Sequence, residues 1–347
     1  MKKPLFLKQK NMVRVLHALV PVTLAAIYSF GWRVLALIAV TMIAGFCTEW
    51  FMVARRNGKV SYACFVTTAL LALSLPPTLP FWMAAVAAGI AILFGKEAFG
   101  GFGKNVFNPA IVGRGFVYVC FPVAMTASFV PSFRGFPGGF AHWSWSALHN
   151  APAWLSGAGL ALSDAVTAAT PLWAQRDYGY STGLAPLILG HIGTVFPSDG
   201  TMLALGAGSA GEVNAVALLL GGAYLLWTRT ANWILMVATV AGALSLNVIL
   251  RYGAGIDLVP PLPFTLFSGA LLYAAIFMVT DPVSAPRQKL SQWVYGAVIG
   301  ALIVFFRYKS IFAGGVLFAL LIGNMLAPSL DLWVKRFAAA RTRSAAP

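Results

Sequence analysis

Apolar residues in this chain come in long unbroken runs rather than in the alternation of a half-buried strand. The runs fall near 15–32, 34–54, 61–76, 80–95, 109–127, 213–228, 232–250, 264–280, 292–306 and 311–328. Crossing the hydrocarbon core of a bilayer takes about 20 residues of α-helix. The pattern therefore predicts an all-α polytopic membrane protein with about ten transmembrane helices, several of them short enough to be tilted or interrupted. Its expected organisation is a basic N-terminus (1–14), five helices (15–127), a long loop (128–212), five more helices (213–330) and a basic tail (331–347).

The two sets of five resemble each other. "SLPPTLPFWMAAVAAGIAILFGK" (74–96) reads like "TDPVSAPRQKLSQWVYGAVIGALIVFFRYK" (280–309). Each has a proline-rich break, then a Trp-bearing apolar helix, then a lysine. "FGG" (99–101) and "FAGG" (312–315) come next, followed by "NPA" (108–110) and "NMLAP" (324–328). With five helices per half the repeat is inverted, an arrangement that places binding sites midway, at broken helices.

Composition agrees with a membrane protein. Of 347 residues 59% are hydrophobic and only 10% charged, against about 25% charged in a soluble domain; mean hydropathy is +0.81. Nothing near the N-terminus reads as a cleaved signal peptide. A net charge of +15 would fit nucleic acid if it were clustered, but its placement is topological. With the N-terminus inside, the inner ends hold Lys2, Lys3, Lys8, Lys10, Arg14, Arg55, Arg56, Lys59, Lys96, Lys104, Arg229, Arg287, Lys289, Lys335, Arg336, Arg341 and Arg343. The outer ends hold only Arg33, Arg134, Arg176, Arg251, Arg307 and Lys309, and Arg114 stays inside a helix. The positive-inside rule then puts both termini in the cytoplasm and the long loop outside. No nucleic-acid partner is expected. Cys47, Cys64 and Cys120 lack CxxC spacing, and His17, His142, His149 and His191 lack paired spacing, so neither a thiolate cluster nor a haem or zinc site is indicated.

Charges within a bilayer default to function. Glu49 in "AGFCTEWF", Asp281 in "TDPVSAP" and Asp331 after "NMLAPSL" lie towards the inner ends of spans, as cation or proton groups or as hydrated interfacial carboxylates. Asn105 and Asn108 in "GGFGKNVFNPA" fit either a flat ligand's polar edge, approached through the glycines, or the cap of a helix begun by Pro109. In "GSAGEVN" (208–214), Ser209 and Glu212 have capping-box spacing. "DAVTAATPL" (164–172) is a small, hydroxyl-bearing stretch in the long loop; on local pattern it starts a helix capped by the Asp or a Thr, with Pro171 ending the turn.

Taken together, "KEAFGGFGKNVFNPAIVGRGF", "TDPVSA" and "DAVTAATPL" resemble the membrane flavin subunits of ion-pumping redox complexes. These are the NqrB component of the sodium-translocating NADH:quinone oxidoreductase (Nqr) and the RnfD component of the Rnf complex. The resemblance runs from the first span to "NMLAPSLD". The most specific element is the flavinylation motif D-x-x-[ST]-[AG]-A-T, matched by Asp164, Thr167, Ala168, Ala169 and Thr170. It implies FMN joined through a phosphoester to Thr170 by a flavin transferase. The asparagine stretch implies a second, noncovalent flavin (riboflavin or FMN) at Asn105 and Asn108, and the family's cation-route acids fall on Glu49, Asp281 and Asp331. A multi-pass bacterial inner-membrane subunit, working with other membrane and peripheral subunits, is implied, and the ion moved is Na+ or H+. One departure touches the quinone site: Ala44-Gly45-Phe46-Cys47 stands where Nqr subunits have a Gly-Gly pair ahead of the glutamate. The rival readings are a flavin-free ion or solute transporter using Asp281 and Asp331, and a membrane scaffold.

Overall fold

A computed structural model describes residues 6–144, 170–193, 195–198, 201–309 and 314–344. The first half contains α1 (Lys10–Phe30), α2 (Arg33–Ala54), α3 (Tyr62–Leu73), α4 (Phe81–Gly95), α5 (Pro109–Cys120) and the short α6 (Pro122–Thr126). Two short helices, α7 (Pro171–Tyr178) and α8 (Leu184–Leu189), follow in the connecting segment. The second half contains α9 (Ala215–Trp227), α10 (Trp233–Val248), α11 (Leu262–Phe267), α12 (Leu271–Tyr273, continuing as a π-turn over Ala274–Met278), α13 (Lys289–Lys309) and α14 (Gly315–Ser344). Two small strand pairs accompany the helices. Phe6–Leu7 lies parallel to Val60–Ser61, and Val195–Ser198 forms an antiparallel hairpin with Thr201–Ala204.

Each of the ten predicted runs holds helix. Among the described residues, six helices are long and apolar enough to cross a membrane: Lys10–Phe30, Arg33–Ala54, Phe81–Phe99, Trp233–Gly253, Lys289–Lys309 and Gly315–Ala339. α3, α5 and α9 are shorter apolar helices. The run at 264–280 is broken at Ser268 and Gly269, where Gly269 takes a left-handed φ of 61°. Carbonyls freed at such a break must find donors inside the protein, since lipid offers none. Arg307 supplies them, donating to Thr265 O and Ser268 O at 2.9 Å each.

The packing order recurs in the two halves. α2 packs on α4 and α4 on α5; α10 packs on α13 and α13 on α14, while α1 meets α9 across the halves. Small residues make the closest contacts, as is usual where lipid gives helices no hydrophobic drive to associate. A Cβ on Gly300 would lie 1.9 Å from Thr239 O, and one on Gly242 2.2 Å from Ala297 O. Large side chains such as Leu37, Leu71, Leu73, Tyr273 and Tyr295 fill the interior, and Val119, Val123 and Trp227 face outward.

Helix starts follow a common device. Asn108, Thr170, Asn214 and Asn232 each accept from a backbone N–H in the first turn of the helix they precede, satisfying a donor that has no partner within the helix. Three sequence expectations shift accordingly. Asn214, not Ser209, caps α9; Glu212 still makes its half of the capping box, accepting from Ser209 N at 2.8 Å. Pro171 opens a helix instead of ending a turn, because a proline ring suits the first helical position. The boundary expected at 330/331 falls inside α14, which continues through Pro328 to Ser344.

Candidate functional site

Two cavities hold four of the residues that the sequence marks for chemistry, Asn105, Asn108 and Asp281 in one and Thr170 in the other, brought from distant parts of the chain. The first is lined by α1, α3, the 96–109 segment and the turn at 280–283, with about 730 Å³ of empty space, mouth included. Asn105, Asn108 and Asp281 all line it, together with Lys96, Phe102, Met12, Thr67 and Phe277. Asn108 serves as a helix cap and more: its Oδ1 accepts from Ala110 N at 3.0 Å, and its Nδ2 donates to Met278 O in the other half at 3.2 Å. Asn105 Nδ2 donates to Phe107 O at 3.0 Å. Asp281 is tied into its own turn, accepting from Ser284 Oγ at 2.8 Å and Val283 N at 3.3 Å. The glycines beside Asn105 have a conformational reason to be there: Gly100, Gly101 and Gly103 take φ of 106°, 97° and 83°, a region that L side chains avoid.

Behind this cavity lies a buried ion pair that the sequence shows only by halves. Glu49 is 1% exposed and Lys96 is 2% exposed. Lys96 Nζ meets Glu49 Oε2 at 2.5 Å and donates to Ser61 Oγ at 2.6 Å. Glu49 Oε1 accepts from Ser61 N at 2.8 Å and Ser61 Oγ at 2.9 Å. The carboxylate is therefore held by an ammonium and by the strand at Val60–Ser61. Arg56 brackets the same region, bridging to Glu97 at 3.4 Å. In the sequence Lys96 reads only as an orientation charge, and nothing local to it announces Glu49, 47 positions earlier.

Asp331 does not line either cavity. From α14 it accepts from Arg287 N at 2.8 Å and Gln288 N at 3.0 Å, capping the start of α13 from another helix. The three candidate ion-route acids thus occupy three separate settings. Among the described residues, no group of three or more His, Cys, Asp or Glu side chains is placed to hold a metal ion.

The second cavity, about 920 Å³ with its mouth included, has Thr170 on its wall. Thr170 Oγ accepts from Trp173 N at 3.4 Å, a long contact that ties the hydroxyl only loosely. Asp164 and Thr167 lie outside the described residues. Facing Thr170 are Arg114 from α5, Arg307 from α13 and Glu212, with Arg176 and Trp173 from α7 itself. Arg307 is 5% exposed, so a residue that reads as an outer-end charge is a buried one. Trp173 Nε1 is buried without an acceptor among the described residues. By sequence Arg114 is an unassigned charge within a helix; its one signal is the cost of that position.

Comparison with known proteins bears on the chain's family. The chain is 33% identical over 325 residues to the D component of the proton-translocating ferredoxin:NAD(+) oxidoreductase complex of Clostridium ljungdahlii, covering 93% of this chain and 88% of that one. It is 32% identical to the D component of the ion-translocating oxidoreductase complex of Ectopseudomonas mendocina, over 94% of this chain and 90% of that one. To the B component of the Na(+)-translocating NADH-quinone reductase of Pseudomonas paraeruginosa it is 30% identical, over 84% of this chain and 64% of the longer relative. The pattern of the NQR2, RnfD, RnfE family matches residues 7–339, nearly the whole chain, and to that family the chain belongs.

Proposed function

We propose that this chain is a flavin-carrying membrane subunit of an ion-translocating electron-transport complex of the Rnf type, linked to ferredoxin and NAD, in the bacterial inner membrane. The observation that carries the reading is one of placement. Thr170 lines one cavity, and Asn105 with Asn108 line another.

The residues present fit the groups proposed. At the Thr170 cavity, a phosphoester on the Oγ would sit at the N-terminus of α7, where unpaired N–H groups and the helix dipole favour negative charge. Trp173 Nε1 offers a donor without an acceptor among the described residues, and the arginines add positive charge. Asp164 and Thr167 belong to the recognition sequence of the flavin transferase in this reading. At the Asn105 cavity, apolar walls from Met12 and Phe277 flank amide groups suited to the polar edge of a noncovalent riboflavin or FMN. Bound flavin accepts electrons in pairs and releases them singly. The chain's part is to orient the groups, exclude water and hold compensating charge. Asp281, on the wall beside Asn105, is the carboxylate best situated to sense charge at that site and to pass a Na+ or H+. Glu49 and Asp331 act at a distance through the helices that they hold.

A second reading makes the chain part of an NADH:quinone oxidoreductase. It draws on the 30% identity to components of those complexes. The replaced Gly-Gly pair favours the Rnf-type assignment. A flavin-free transporter is the third.

Thr170→Ala tests the central claim. Co-expressed with the transferase, the wild-type chain should fluoresce yellow-green on a denaturing gel and the variant should not. Fluorescence retained in the variant would move attachment elsewhere, first to Thr167.

A further inference from the structure

The Thr170 cavity contains an ionic imbalance. Four charged side chains line it: Arg114, Arg176, Arg307 and Glu212. Arg176 is paired with Asp177, through Nε to Oδ1 at 2.6 Å and Nη2 to Oδ2 at 3.0 Å. Arg307 spends its guanidinium on Thr265 O and Ser268 O, and lies within electrostatic reach of Glu212. Arg114 is different. It sits six positions into α5, an apolar helix, partly buried, and among the described residues it makes no hydrogen bond or ion pair. A cation in such a place is costly and is retained where an anion or a water-filled path meets it. The rest of the cavity points to the anion. Thr170 lies at the start of an eight-residue helix, whose first residues Pro171, Leu172 and Trp173 line the same space. Trp173, on the same wall, has its Nε1 buried without an acceptor among the described residues.

We infer that Arg114 receives the negative charge of the flavin phosphoester, so that this cavity selects the phosphorylated form of the flavin by charge as well as by the covalent bond. The inference rests on the covalent-FMN reading and adds a residue which that reading does not need. A phosphodiester carries one negative charge, which matches the one guanidinium left over. Guanidinium also suits the group, because its planar fork donates to two oxygens at once.

The test separates charge recognition from the covalent bond. Thr170→Val cannot be esterified. The full chain carrying it, purified with its accompanying subunits, is titrated with FMN and with riboflavin, following quenching of Trp173 fluorescence. A Trp173→Phe control isolates the signal of this cavity from the other. FMN should bind at least tenfold more tightly than riboflavin. Adding Arg114→Met should bring the ratio near one, while Arg114→Lys keeps part of the preference. Arg114→Gln stands in if the methionine variant does not elute as a folded protein. An FMN preference unchanged without Arg114, no preference in the parent, or no FMN binding at all would each overturn the inference. The underlying reading fails separately, if the wild-type chain shows no fluorescence on the denaturing gel.

Discussion

At the scale of single residues, Glu49 and Lys96 show what a sequence reveals and what it hides. A carboxylate in an apolar helix is conspicuous, because its position is costly wherever the chain folds. Its partner is not, because a lysine at a helix end satisfies the orientation rule without needing any contact. Pairing depends on α2, the strand at Val60–Ser61 and the end of α4 converging, which no local pattern encodes. Removing one partner of a buried pair typically costs about 3–5 kcal/mol, since the other charge stays buried. Lys96→Met should therefore lower the unfolding temperature in detergent sharply, and Glu49→Gln in the same chain should restore most of it. If the double variant is no more stable than Lys96→Met, the pair is not what holds this corner. Asp281 has a different expectation, since it lines a cavity. In vesicles, Asp281→Asn should weaken ion uptake more than electron transfer while leaving flavin content intact, and a wild-type ratio of ions to electrons would remove it from the ion route.

At the scale of elements, hydropathy locates helices well and their ends poorly. All ten runs contain helix, because an apolar run has no other way to satisfy its backbone in lipid. The boundary expected at 330/331 falls inside α14, and Pro171 reads as the end of a turn, yet it begins α7. The break at Ser268 and Gly269 is invisible in the pattern; it depends on Arg307, which reaches it from α13. Helix pairing is visible only as small residues without an assigned neighbour. Where α10 meets α13, an added methyl on Gly300 would sit 1.9 Å from Thr239 O. Overpacking of that kind costs about 1–3 kcal/mol. Gly300→Ala should lower the unfolding midpoint clearly, whereas Gly253→Ala, with nothing within 4 Å of the new methyl, should leave it within experimental scatter. Equal effects would mean that the α10–α13 contact is looser than its backbone spacing implies.

At the scale of the whole molecule, the motif at Thr170 is legible in the sequence, and the cavity around it is not. Arg114, Glu212 and Arg307 are separated by about a hundred residues from one to the next, and only the packed halves bring them together. The same holds for Asn105 and Asp281. If the two cavities hold separate flavins, mild denaturation should release one flavin per chain and leave another bound to the polypeptide. Asn105→Ala and Asn108→Ala should reduce the released fraction alone, as read by mass analysis of the extract. Loss of the covalent fraction in those variants would show that the two sites are not independent. In a cysteine-free background, a cysteine replacing the exposed Asp177 should react with an impermeant maleimide from outside intact cells, and one replacing Arg336 only after permeabilisation. The reverse pattern would invert the orientation read from charge.

α14 is 30 residues long, about 45 Å at 1.5 Å per residue, while the apolar layer is about 30 Å thick. Fitting one into the other by leaning would take about 48°, beyond the roughly 0–40° that membrane helices adopt. Part of it must stand clear of the layer like a mast. Trp333 and Phe337 are exposed and packed edge to face at 4.5 Å, and aromatic rings of this kind collect where a membrane meets water. The foot of the mast is stepped into α13 by Asp331, and α13 runs from there to Arg307 at the wall of the Thr170 cavity. A neighbouring protein that leans on the mast therefore loads a stiff rod whose far end is a guanidinium beside the proposed flavin.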